Sequence, residues 1–366
     1  MKTLKILTSS PIFWLGISLR ILCLISFESS AIEIFYSPFL KETSVNIDIN
    51  PWKVWLDSGG TLDAFPYGYM MWFVFLPITL LFNLIGIETS LAYFLTIFLV
   101  DVLLCGTLIK LTPGKTSLVL KIYWLSPIII IASYALGLND LIPALFLLIA
   151  LLFLRYNKFI LSSMLLVFAI SAKLSMLIAL PFFLIYILNN RSHRHHLFSF
   201  TLTFIIFALV LGLPLLLSES AASMLFGNPE ILKIFYLALP IGQNVLVYMV
   251  PLLYLILLYM GWRVRPLNFE LFSVFVGVSF LAIVLLTPNS PGWFIWVLPF
   301  LVLYQSRSDK IAINLSVIFS IAYLINVLAT SELNFLYAFE DHYIVDLFDT
   351  LITEYFILQL LQTFIL

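Results

Sequence analysis

Charge is what this sequence has least of. Only 10% of its 366 residues are Asp, Glu, Lys or Arg, where a soluble domain carries about 25%, so the chain has too little polar surface to face water on all sides. A formal charge of −1 gives it no basic face, which excludes nucleic acid as a partner. Cysteine is nearly as scarce. Cys23 and Cys105 both lie inside apolar runs, with neither a disulfide framework nor a CxxC metal spacing. No supersecondary repeat and no Gly/Ser-rich or Pro-rich linker divides the chain, so residues 1–366 read as one domain.

What fills the sequence instead is apolar. Hydrophobic residues make up 63% of it, and the mean hydropathy is +1.12. Apolar segments run over 11–28, 68–87, 90–110, 117–137, 141–155, 159–172, 174–188, 197–217, 244–262, 269–287, 291–305, 310–330 and 350–366. A helix of about 18 apolar residues crosses a hydrocarbon core of ~30 Å. The runs are continuous and lack the alternation of a barrel strand, so they predict helices. The expected fold is an all-α polytopic membrane protein of about 11–13 membrane helices. Lys2 and Lys5 before the first run resemble a signal peptide, but Arg20 interrupts that run. It reads as an uncleaved first helix.

Basic residues orient such helices. Lys2 and Lys5, then Lys110, Lys115 and Lys121, Arg155 and Lys158, Arg191 and Arg194, Arg263 and Arg265, and Arg307 and Lys310 fall in alternate connections, which places them in the cytoplasm. The opposite connections hold many acids: Glu28, Glu33, Glu42, Asp48, Asp57, Asp63, Asp140, Glu219, Glu230, Glu332, Glu340, Asp341, Asp346 and Asp349. The longest polar stretch, 29–67, becomes an outer loop, with shorter ones at 218–243 and 331–349. This parity holds only if one of the segments 68–87 and 90–110 fails to cross. Pro66, Pro77 and Gly86 make 68–87 the one expected to lie along the outer interface or re-enter. Lys173, between two short segments, is expected at the outer boundary.

Several places can carry chemistry. The loop from Asn46 to Trp72 sets Asp48, Asp57 and Asp63 among Trp52, Trp55, Phe65, Tyr67 and Trp72. Carboxylates that accept hydroxyl protons beside aromatic faces suit a polyhydroxyl ligand, and aromatics of an interfacial belt are the plainer alternative. Asn139 and Asp140 precede an apolar helix, where Asp140 either caps it or completes a site on the same side as the loop. Lys173 in AISAKLSMLIALPF either meets an anion such as a lipid phosphate or snorkels. Arg20 has the same two readings, with a structural pair to Asp101 beside them. The turn at Pro288, Asn289, Pro291 and Gly292 opens into a Trp/Phe-rich helix that begins near Trp293. The stretch Pro229–Ile241 reads as an external amphipathic helix carrying Lys233 toward the lipid surface. The cluster of His193, His195 and His196 reads as a cytoplasmic charge patch rather than a metal site.

In this order the pieces resemble the GT-C class of membrane glycosyltransferases, above all the polyprenol- or dolichol-phosphate-mannose-dependent mannosyltransferases, including the first mannosyltransferase of the GPI-anchor pathway and its bacterial relatives. Asp48-Ile49-Asn50-Pro51-Trp52 and Phe65-Pro66-Tyr67-Gly68-Tyr69 stand where that group has its acidic patch and aromatic–Pro stretch. Ser126-Pro127 through Asn139-Asp140, Lys173 through Pro181, and Gly292-Trp293-Phe294-Ile295-Trp296 are similar to its later motifs. Asn50 stands in place of a second Asp, and Gly292-Trp293 in place of Gln-Tyr.

The resemblance implies a GT-C-like bundle with an acidic first outer loop. It implies an inverting transfer of a hexose, mannose by the likeness, from a polyprenyl-phosphate-linked donor to a hydroxyl on a lipid or glycan acceptor. Asp48 would be the base, with Asp57 and Asp140 orienting carboxylates or ligands of a divalent cation. Lys173, Arg20 and Lys233 would meet the donor phosphate, and Trp52, Tyr67, Asn139 and Trp293 the sugar or acceptor. No cofactor is required, a divalent cation is admitted, and membrane lipids surround the chain. The site would face the periplasm, lumen or outside of a plasma (inner) or ER membrane. The alternative function is a transporter or flippase of a lipid-linked or anionic solute.

Overall fold

The computed structural model describes residues 7–241, 245–288, 290–308 and 310–329. The expectations placed on Lys2, Lys5 and Asn289, on the acids of 331–349 and on the segment 350–366 lie outside the described residues. Within them the fold is helical, apart from one short antiparallel hairpin pairing Ala238–Pro240 with Leu246–Tyr248.

Among the described residues three helices are long and apolar enough to cross a membrane: Thr89–Leu111, Arg194–Leu217 and Phe269–Leu286. A fourth span results if Thr116–Trp124 and Pro127–Ala135, bent by 48°, are taken together. Among the described residues the shorter apolar helices have 10–17 residues. Local breaks explain the shorter lengths. Pro127, which has no N–H to continue the ladder, restarts the second half of the bent pair after extended Ser126 (φ −62°, ψ 126°). Lys173 is extended as well (φ −152°, ψ 121°) and divides 159–188. Pro229–Ile241 is no single amphipathic helix. A short helix, Pro229–Phe235, is opened by the Asn228 side chain on the Glu230 N–H and gives way to the first hairpin strand.

A helix apolar on every side is either core or faces lipid, and both kinds occur. Leu141–Arg155 is buried along almost its whole length and packs on Phe159–Ala172, where the Ser162 hydroxyl donates to the Ala150 carbonyl. Leu197–Leu217 packs on the far side of Phe159–Ala172 but exposes Ile205, Ile206, Leu209, Val210, Leu213 and Leu216.

A buried ion pair ties the first helix, Pro11–Ser26, to Thr89–Leu111 and the bent pair. Arg20 Nε donates to Asp101 Oδ2 at 2.8 Å, and its Nη1 donates to the Gly16 and Trp124 carbonyls at 2.9 Å. The guanidinium lies 3.7 Å from the Trp124 ring centroid. Asp101 also accepts the Tyr123 and Tyr134 hydroxyls, at 2.7 and 2.9 Å. The 29–67 stretch, expected as an outer loop, is largely helical. It folds into Ala31–Tyr36, Ser37–Val45 and Pro51–Asp57, with the middle helix packed on Tyr69–Leu84.

Candidate functional site

A tight turn places Asp140. Gly137 adopts φ +70°, which favours glycine, and a Cβ there would lie 2.5 Å from Ser29 Oγ. Tyr93 and Ser29 hydroxyls hold the carbonyls of Gly137 and Leu136, at 2.6 and 2.7 Å. The turn delivers Asn139 and Asp140 to the start of Leu141–Arg155, where the Asp140 side chain makes no capping bond. Its Oδ1 instead accepts from Lys173 Nζ at 2.6 Å and from Trp296 Nε1 at 2.7 Å. A Cβ at Gly292 would fall 2.2 Å from Asp140 Oδ2, so the turn before Trp293 rests directly on the carboxylate.

The extended break at Lys173 frees its side chain to turn toward Asp140. Its ammonium stands 5.6 Å from the Tyr67 ring centroid and 5.2 Å from that of Trp296, within cation–π range. Gly68 lets the loop approach closely, since a Cβ there would meet the Ser171 carbonyl at 2.2 Å. The Tyr67 hydroxyl lies 3.1 Å from that of Tyr36. Burial first, then the Asp140 charge, pushes the Tyr67 phenol well above its ordinary range, so it stays a neutral hydroxyl. Asn139 is fully buried beside it. Its amide lies close enough to Tyr67 for the two to interact, yet neither amide atom has a partner at full hydrogen-bonding geometry. Unpaired buried amides are costly and call for a ligand or a water.

Trp293 stacks on Trp296 with centroids 5.2 Å apart and planes at 17°. Lys233 approaches the Trp293 ring at 6.0 Å and pairs with Glu230 at 2.6 Å. The stacked indoles therefore carry an ammonium at each end, and each ammonium has its own carboxylate. Tyr67, Asn139, Asp140, Lys173, Lys233 and Trp293, distant in sequence, meet in this assembly.

Four other expected residues lie elsewhere. Arg20 was assigned to the donor phosphate, but its side chain is 1% exposed and its charge is satisfied by Asp101. Trp52 was assigned to sugar or acceptor, but it is fully buried. Its indole N–H donates to the Phe65 carbonyl at 3.3 Å, and its ring meets Tyr69 edge-on. Asp57 is 64% exposed and holds Lys53 one helical turn away, which raises the Lys53 pKa. Asp48 is exposed and accepts the Asn50 N–H at 2.7 Å. Neither Asp48 nor Asp57 bonds to Asp140 or Lys173. Asp57 pairs with Lys53 and Asp140 with Lys173, so the structure does not bring the two acids together. Among the described residues no three His, Cys, Asp or Glu side chains are grouped to hold a metal ion. His193 and His196 instead pack on the Phe159 ring.

Tyr36, Glu230 and Trp296 belong to the assembly without having been singled out. Glu230 had a local signal, standing three residues before Lys233 just after the Asn228-Pro229 helix start. Trp296 is one turn after Trp293. Tyr36 had none. No family model matches the chain, and no curated protein is significantly similar to it.

Proposed function

We propose that the chain is a multi-pass integral membrane glycosyltransferase of the GT-C kind, moving a hexose, mannose by the family likeness, from a polyprenyl phosphate to an acceptor hydroxyl. The observation that carries the reading is the meeting of Asp140 and Lys173 with Tyr67, Asn139 and the Trp293–Trp296 stack, residues from four of the five stretches that resemble that class, the acidic patch Asp48–Trp52 contributing none. The requirements of the reaction match the parts. A developing phosphate charge needs a cation, which Lys233 offers, while Lys173, held by Asp140, orders the site beside it. A sugar needs apolar faces and amide or hydroxyl partners, which the indoles, Tyr67 and Asn139 offer.

The acceptor oxygen attacks the anomeric carbon while the bond from that carbon to the phosphate oxygen breaks, and polyprenyl phosphate leaves with the electron pair. The hydroxyl proton goes to a carboxylate. Asp140 does not suit this role, because one oxygen already accepts two donors and the group is buried. Asp48 is exposed, and its charge reaches Tyr69, next to the Gly68 that packs on Ser171. We keep Asp48 as base on the strength of its place in the motif order, and assign Asp140 to holding Lys173.

The membrane arrangement is part of the proposal, with residues 29–67 and 218–241 outside. Helix Tyr69–Leu84 is bonded to the 29–67 segment at both ends: the Tyr69 hydroxyl donates to the Ile49 carbonyl at 2.7 Å, and the Asn83 amide to the Ser44 hydroxyl at 2.5 Å. A helix that starts and finishes on one segment supports the reading that it lies along the outer face.

One observation favours the second reading, a transporter or flippase. A helix break lies beside a buried charged pair, because the bent pair brings Trp124 and Tyr134 onto Arg20 and Asp101. Purified, reconstituted protein given radiolabelled polyprenyl-phosphate mannose and a hydroxyl acceptor separates the two. Transfer of label to the acceptor supports the enzyme; movement of intact lipid-linked sugar across the bilayer supports the transporter.

A further inference from the structure

The two ion pairs at the indole stack differ in one respect that bears on how a phosphate is admitted. The Asp140 side chain is 3% exposed, is held by Trp296 as well as Lys173, and has Gly292 against its other oxygen. It has nowhere to go, so Lys173 stays neutralised. Glu230 is 39% exposed and Lys233 24%, on a short helix at the rim. One Glu230 oxygen, Oε1, takes Lys233; the other, Oε2, is out of solvent contact and has no hydrogen-bond partner. The Glu230 charge is also felt at the Tyr67 phenol. Glu230 is therefore held over the assembly by one bond only, and no mechanistic step above uses it.

An anion entering beside Trp293 meets Lys233 first and finds Glu230 already on it. We propose that Glu230 is a specificity-determining residue of the donor site: a built-in counter-anion on Lys233 that the donor's phosphate must displace. This rests on the glycosyl-transfer reading and deepens it. Displacement frees one positive charge, because only Lys233 can exchange its partner while Lys173 remains locked. One freed charge matches a singly charged phosphodiester, the group that joins a sugar to a polyprenyl monophosphate. Displaced Glu230 turns to solvent, where its exposed half already lies.

Equilibrium binding of a short-chain polyprenyl-phosphate mannose to the purified full chain, without acceptor, tests this independently of catalysis. Glu230→Gln removes the competitor and keeps the shape. It should bind the donor about two- to fivefold more tightly than wild type, the scale of an exposed ion pair. Lys233→Gln should bind more weakly. The double variant Glu230→Gln/Lys233→Gln should bind like Lys233→Gln alone, because Glu230 acts only through Lys233. A carboxylate that merely supports the fold would weaken binding when changed, and would do so with or without Lys233. Glu230→Gln binding the donor as wild type does, or less tightly, overturns the proposal. Wild type that binds no donor overturns it together with the function it rests on. The expected order of affinities without any sugar transfer leaves the counter-anion standing and removes the transferase.

Discussion

Asp140 and Lys173 form a pair in which removing one member is worse than removing both. Asp140→Asn leaves an ammonium that is 17% exposed facing a neutral amide, and breaking a largely buried pair in this way costs roughly 3–5 kcal/mol. Asp140→Leu combined with Lys173→Met leaves no unpaired charge. Thermal unfolding of purified protein should therefore rank wild type and the double variant above Asp140→Asn. A double variant less stable than Asp140→Asn would contradict the pairing. Asp48 predicts a different pattern, because it is exposed and holds only a local turn. Asp48→Asn should unfold like wild type and bind donor normally, yet transfer sugar about 10²-fold more slowly. Unchanged turnover would remove Asp48 as base. Asp140 was legible in the sequence as a carboxylate at a helix start, whereas Asp48 rests on its place in a motif order and lies outside the Asp140 assembly. That Asp140 is locked by an indole was not legible, since the Trp296 contact joins residues 156 apart.

Elements were legible where a run ended in a charge or a proline, and less so where apolar sequence continued through a break. The division at Lys173 was visible because a lysine interrupts two apolar runs. The break at Ser126-Pro127 was not, because 117–137 reads as one run although its two halves are bent by 48°. The stretch Pro229–Ile241 differs in form from the expected amphipathic helix, since a capped short helix and a hairpin strand replace it. Its Lys233, expected toward the lipid surface, lies beside the Trp293 ring. Helix Tyr69–Leu84 gives the prediction at this scale. If it lies along the outer face, single cysteines at Lys115 and Asn228 report opposite sides. An impermeant thiol reagent added outside should label the cysteine replacing Asn228 and spare the one replacing Lys115. Labelling at both sites, or at Lys115 alone, would show that Tyr69–Leu84 crosses.

Across the whole molecule, hydropathy located the helical segments but overstated how many have a full crossing length, because it measures apolarity and not continuity. Leu141–Arg155 and Leu197–Leu217 are equally apolar in sequence, yet one is interior and the other largely exposed. Only packing separates them. Of the stretches read from motif order, those holding Tyr67, Asn139-Asp140, Lys173 and Trp293 come together around Asp140, while the acidic patch at Asp48–Trp52 does not. Arg20 and Trp52 were misassigned for one reason: neither a buried arginine nor a buried tryptophan can be told from an exposed one without knowing what it packs on. The measurement that tests the central claim most directly is a single-turnover assay of reconstituted protein with radiolabelled polyprenyl-phosphate mannose and a hydroxyl acceptor. The account predicts that label passes to the acceptor with inversion, that Asp48→Asn loses the transfer, and that Lys173→Ala needs more donor or turns over more slowly. Label that stays on the polyprenyl phosphate, with every acceptor offered and with bound donor demonstrated, would contradict it.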